Sequence, residues 1–214
     1  MSIVPWRRWL GHTVDRWLTR TRTIRGVPVT IHNTRPDIST AHVIERLDAA
    51  LALIERYQPW HFRRLARDFA EISVVRYPCR GAYLPQTRTC IVELTFVVNP
   101  AFSEAQVAAT ILHEAMHARL DRAGIRFCAE SAARHERFCR RAEVEFGMVV
   151  PGGEPIVERA LGSLAATDQE VAPAIDWEEA NRRVAQVDLD ALAAPAWVKR
   201  AVGRRRGLDD GTTH

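Results

Sequence analysis

One stretch restricts this chain more than any other: a helix from Ser103 to Gly124 that is apolar on most of its sides yet carries charge in its middle. Ser103 and Gln106 form a capping box, with Phe102 and Val107 placed as a hydrophobic staple, so the pattern predicts a helix beginning at Glu104 and stopping at Gly124. The run Val107-Ala108-Ala109-Thr110-Ile111-Leu112 leads into His113-Glu114-Ala115-Met116-His117-Ala118. A helix apolar all round is a buried helix, so other elements must enclose it. A buried carboxylate and two imidazoles are costly there unless paired, hydrogen-bonded or bound to a metal. The bland reading is a pair of core histidines with hydrogen bonds alone.

His113 and His117 stand one i to i+4 step apart, which puts both rings on one helix face with about 6 Å between Cβ atoms. Two neutral imidazoles at that spacing suit a tetrahedral zinc ion, and Glu114 beside them suits a general base for a metal-activated water. Residues Thr110 to Ala118 resemble the active helix of the zincin metallopeptidases, with Arg119 standing where those enzymes usually place an apolar residue. Metzincins carry a third histidine shortly after a glycine, but here Ile125-Arg126-Phe127 follow Gly124. The chain looks instead like a minimal gluzincin or a bacterial relative of that group. That resemblance implies Zn2+ held by His113, His117 and Glu136, with eighteen residues between His117 and Glu136. Glu130, His135 and Glu143 lie on the same helical stretch and are the rivals for the third ligand. Gluzincins also carry a carboxylate four residues after the glutamate ligand, where this chain has Arg140. Asp121, Glu130 and Glu143 are therefore the candidates to orient a ligand histidine.

The rest of the pattern implies an α+β fold: a small, mostly antiparallel sheet with helices packed on it, and the glutamate-bearing helix after the active one. Alternation from Thr23 to Ile31 predicts a strand or hairpin edge. Val43, Ile44, Leu47, Leu51 and Ile54 form the buried stripe of a helix reaching Tyr57, and Pro59 opens another. Glu71 to Tyr77 reads as a strand, Pro78 to Pro85 as a loop, and the β-branched run from Thr87 to Val98 as one longer strand. In a zincin that longer strand would be the edge that pairs with an extended substrate. Arg80 or Tyr83 on the loop is a candidate for the oxyanion; an exposed loop tyrosine is otherwise structural. A further helix is expected from about Cys128 to Phe146.

These elements suggest an amphipathic basic helix in residues 1–22, a zincin-like domain in 23–150, and a loosely structured extension with a basic tail in 151–214. Residues 1–36 hold seven arginines against Asp15, and residues 197–214 hold five basic against two acidic residues, so the middle is net acidic. The basic ends suit weak contact with a polyanion or an anionic membrane surface, or an N-terminal helix simply docked on the domain. No apolar run approaches the roughly 20 residues of a membrane span, and no secretory signal is evident, so the cytoplasm is the expected compartment. Cys79, Cys90, Cys128 and Cys139 contain no C-x-x-C pair and are read as free thiols without chemistry. Two functions follow: hydrolysis of a peptide or protein substrate with Glu114 as base, or an inactive zinc module that binds nucleic acid or protein through its basic ends.

Overall fold

Arg25 and Gly26 both have positive φ (50° and 80°), the geometry of a two-residue hairpin turn, and they join β1 (Thr19–Ile24) to β2 (Val27–His32) in antiparallel register. The Arg25 side chain fixes that turn to helix α1 (Thr40–Tyr57) through Asp48 at 2.9 Å and Glu55 at 2.7 Å. The computed structural model in which these elements are seen describes residues 19–173 and 176–197. Most of the expected N-terminal helix therefore lies outside the described residues, and its last four positions, 19–22, belong to β1.

After α1 and α2 (Pro59–Asp68) the chain returns as β3 (Glu71–Val75), which pairs parallel with β2. A helical crossover between neighbouring strands makes them parallel. The chain then passes to the sheet margin as β4 (Gly81–Leu84), turns, and inserts β5 (Thr89–Glu93) between β3 and β4, parallel to the former and antiparallel to the latter. The sheet order is β1-β2-β3-β5-β4. The sheet is thus mixed, correcting the expectation of a mostly antiparallel one.

The expected strand from Thr87 to Val98 breaks at Glu93. Its Oε2 accepts from the Phe96 backbone N and the Thr95 hydroxyl, each at 2.6 Å, which caps a short helix α3 (Leu94–Val98). A carboxylate cap outweighs the β-preference of Thr95, Val97 and Val98. β5 is consequently an interior strand, and the edge is β4, inside the stretch expected to be a loop.

Helix α4 (Glu104–Arg122) begins with the Ser103–Gln106 capping box. It ends with Gly124 at φ 79°, where Gly124 N donates to Asp121 O and Ile125 N to Leu120 O, a Schellman closure. Arg46 of α1 grips its start through Glu104 and the Phe102 carbonyl. One core joins Val29, Ile31, Ile72, Val74 and Val92 of the sheet with Leu47, Leu51 and Ile54 of α1 and Val107, Ala108, Ile111 and Leu112 of α4. Each of these Val, Leu and Ile side chains contributes roughly 1.5–3 kcal/mol by leaving water.

Helix α5 (Ala132–Gly147) starts later than expected, because Ser131 ties residues 126–131 into a turn: its hydroxyl donates to Arg126 O at 2.9 Å and accepts from Cys128 N at 3.1 Å. Gly147 and Gly153 then meet so closely that a Cβ on Gly153 would stand 2.0 Å from the Gly147 carbonyl oxygen. That contact folds α6 (Glu154–Ala165) back onto α5, so part of the expected loose extension is packed structure; the short α7 (Asp168–Val171) follows. The chain divides into two compact units, Met1–Pro173 and Ala174–His214. The second contains α8 (Trp177–Ala191), whose N-cap Asp176 accepts from Glu179 N at 3.0 Å. Among the described residues no helix is long and apolar enough to cross a membrane.

Candidate metal centre

Helix α4 buries His113 and Glu114 to 6% and 5% exposure, and its packing on α5 brings Glu136 against them. His113 Nε2 lies 3.3 Å from Glu136 Oε2, and His117 Nε2 lies 3.3 Å from Glu136 Oε1. The two rings sit edge to face with centroids 5.0 Å apart. Each imidazole thus faces a different oxygen of the one Glu136 carboxylate.

Of the three carboxylates weighed as orienting groups, Glu143 is the one bonded to His113. It is 1% exposed, and its Oε1 accepts from His113 Nδ1 at 2.9 Å. That bond leaves Nε2 directed at Glu136. Arg140 donates to both Glu143 oxygens at 3.0 and 3.1 Å, and Arg159 of α6 donates to Oε2 at 3.1 Å. Arg140, standing where gluzincins have an acid, thus clamps an acid supplied one turn further along α5. Glu130 is exposed. His135 is buried and stacks on His117 at 6.1 Å, with Phe127 against both rings at 5.7 and 5.5 Å.

Burial opposes a charge on His113, but Glu136 and Glu143 on its two nitrogens overcome it and raise the imidazole to about 10. Burial pushes Glu136 up, yet His113 and His117 together hold it well below the ordinary carboxylate range. Burial raises Glu114, as do Glu136 and Glu143, against the opposing pull of His113 and His117.

Gly81 at the start of β4 touches Glu114 directly: a Cβ there would stand 2.6 Å from Thr110 Cγ2 and 2.8 Å from Glu114 Oε1. The close approach of strand and helix therefore requires glycine. Tyr83 turns instead toward Phe69, with centroids 6.3 Å apart. Arg80 is exposed and stacks over Phe102 at 4.4 Å. Tyr77, not singled out in the sequence, feels both Cys79 and Glu114, and burial raises its phenol. Burial and Glu114 together raise the Cys79 thiol to about 11.

Arg119 is explained by the layer behind α4. Its Nε and Nη2 each lie 2.7 Å from Oδ2 of the fully buried Asp68, and Nη1 meets His61 Nδ1 at 2.5 Å.

Cys139, expected to be a free thiol without chemistry, is a free thiol and lies beside the histidine pair. It is fully buried on α5, and one ligand atom each of His113, His117 and Cys139 lie within 4.8 Å of one another. Comparison with protein-family models, with curated proteins and with solved structures finds no match to this chain.

Proposed function

We propose that the chain is a zinc-dependent hydrolase of peptide bonds, zincin-like in its fold, with His113, His117 and Glu136 holding the metal and Glu114 as general base. The observation that carries this reading is the convergence of both histidine Nε2 atoms on the Glu136 carboxylate beside a buried Glu114. When bound, zinc supplies a Lewis acid for the substrate carbonyl and lowers the pKa of water towards about 7. Glu114, its basicity raised by burial, takes the proton during attack and returns it to the leaving amine. Glu143, clamped by Arg140 and Arg159, keeps the His113 ring oriented. The edge of β4 that has no strand neighbour among the described residues, in contact with Glu114 at Gly81, is where an extended peptide would add its backbone.

The rival reading, a zinc module binding nucleic acid or protein through its basic ends, depends largely on residues 1–18 and 198–214, which lie outside the described residues. A carboxylate buried beside the metal position favours hydrolysis, since a purely structural zinc has no use for a base. The cytoplasm remains the proposed compartment.

The test compares the parent with Glu114→Gln for bound zinc and for hydrolysis of a mixed peptide library. Both should hold one zinc ion, and the variant should lose about 10²–10⁴ in turnover. A parent that binds no zinc, or a variant that cleaves as fast as the parent, overturns the proposal.

A further inference from the structure

We infer that Cys139 is a fourth protein donor to this metal, so that the resting centre is closed by His113, His117, Glu136 and Cys139; the inference rests on the metal reading above. Cys139 stands three residues after Glu136 on α5, one turn along the same face, so carboxylate and thiol project toward the same histidine pair. One ligand atom each of Cys139, His113 and His117 lie within 4.8 Å. Zinc–sulfur and zinc–nitrogen distances of about 2.3 and 2.05 Å in a tetrahedron need a sulfur–nitrogen separation of about 3.6 Å, which side-chain rotation of the order of 1 Å supplies.

Buried cysteines are commonly small apolar fillers, and Cys90 is such a case: equally buried, its one hydrogen-bond contact among the described residues is the Ile91 carbonyl at 4.0 Å. What separates Cys139 from Cys90 is the pair of imidazoles within ligating reach. A thiolate with imidazoles also narrows the choice of ion toward zinc, and away from magnesium or calcium, which prefer oxygen.

Four protein donors make a closed site, whereas hydrolysis needs an open position. The donor that leaves is Cys139. His113 is tied back by Glu143, His117 is packed against the Phe127 and His135 rings, and Glu136 has Arg140 at 4.0 Å, while Cys139 has neither a hydrogen bond nor a ring contact among the described residues. On binding, Cys139 gives its Sγ proton to solvent and donates a sulfur lone pair; on leaving, the sulfur–metal bond breaks and Sγ takes a proton back. No electron changes hands.

The experiment loads the full chain with Co2+ alone and records its near-ultraviolet thiolate-to-cobalt absorption, for the parent, Cys139→Ser and Cys79→Ser. The parent and Cys79→Ser should show the band, and Cys139→Ser should keep one bound cobalt while losing it. X-ray absorption of the zinc-loaded parent needs no variant and should find one sulfur at about 2.3 Å. Peptide turnover should rise in Cys139→Ser, whose centre is open. A metal-loaded parent with nitrogen and oxygen neighbours alone, or a cobalt band that survives Cys139→Ser, overturns the role of Cys139 and leaves the metal centre standing. A parent that takes up neither ion overturns both.

Discussion

Replacing Glu143 by Gln separates an orienting carboxylate from a merely structural one. The substitution keeps shape and leaves an amide oxygen for His113 Nδ1, but removes the charge that faces His113, Arg140 and Arg159 at 2.9–3.1 Å. An outer carboxylate of this kind contributes about ten- to a hundredfold to metal affinity, or roughly 1.4–2.8 kcal/mol. The loss of fold stability should be smaller than the roughly 3–5 kcal/mol of a fully buried broken pair, because the Arg140 and Arg159 side chains are 22% and 33% exposed and regain water. The assay is a zinc titration in competition with a chelating dye, with far-ultraviolet circular dichroism to confirm the fold. Glu145→Gln, an exposed carboxylate on the same helix, is the control. Zinc affinity of Glu143→Gln within about twofold of both the parent and the control would refute the orienting role.

Gly81→Ala should displace Glu114, since its Cβ would stand 2.8 Å from Oε1 and 2.6 Å from Thr110 Cγ2; zinc content measured by metal analysis should hold while peptide turnover falls at least about tenfold. Asp68→Asn leaves Arg119 without its buried counter-charge and should cost about 3–5 kcal/mol in urea unfolding. Burial, Arg119 and Arg64 lower His61 from 6.5 to about 4, so the unfolded chain takes that proton first. Its contribution to stability is complete above pH 6.5 and is lost as pH falls towards about 4; His61→Gln should flatten the fall in urea midpoint between pH 7 and 5, and an unchanged slope would count against it.

What could be read in advance followed from local chemistry. The extent of α4 was legible because both ends carry their own stop signals, the Ser103–Gln106 box and Gly124, and these act within one turn. Strand order was not, because β5 chooses β3 and β4 as neighbours through contacts far apart in sequence. The break at Glu93 was missed since β-branched residues on both sides spoke for a strand while one side chain capped a helix.

The centre itself divides along the same line. His113, Glu114 and His117 were visible from spacing within one helix. Glu143 was one of three carboxylate candidates, and the choice among them, like the approach of Cys139 to the histidines, depends on an interhelix packing that no local rule supplies, but α5 did carry a signal. His135, Cys139, Ala142, Glu143 and Phe146 recur at steps of three and four, and all five are buried. An acid and an imidazole on the apolar stripe of a helix cost free energy unless a partner element meets them. The partner is the polar middle of α4, an equally costly feature on an equally buried helix. Each helix alone is a poor sequence for a core; packed together, Glu143 meets His113 and Glu136 meets both α4 histidines, while the His135 ring nitrogens stay without a hydrogen-bond partner among the described residues. The pairing of two otherwise unfavourable stripes is the physical ground on which the metal centre is proposed.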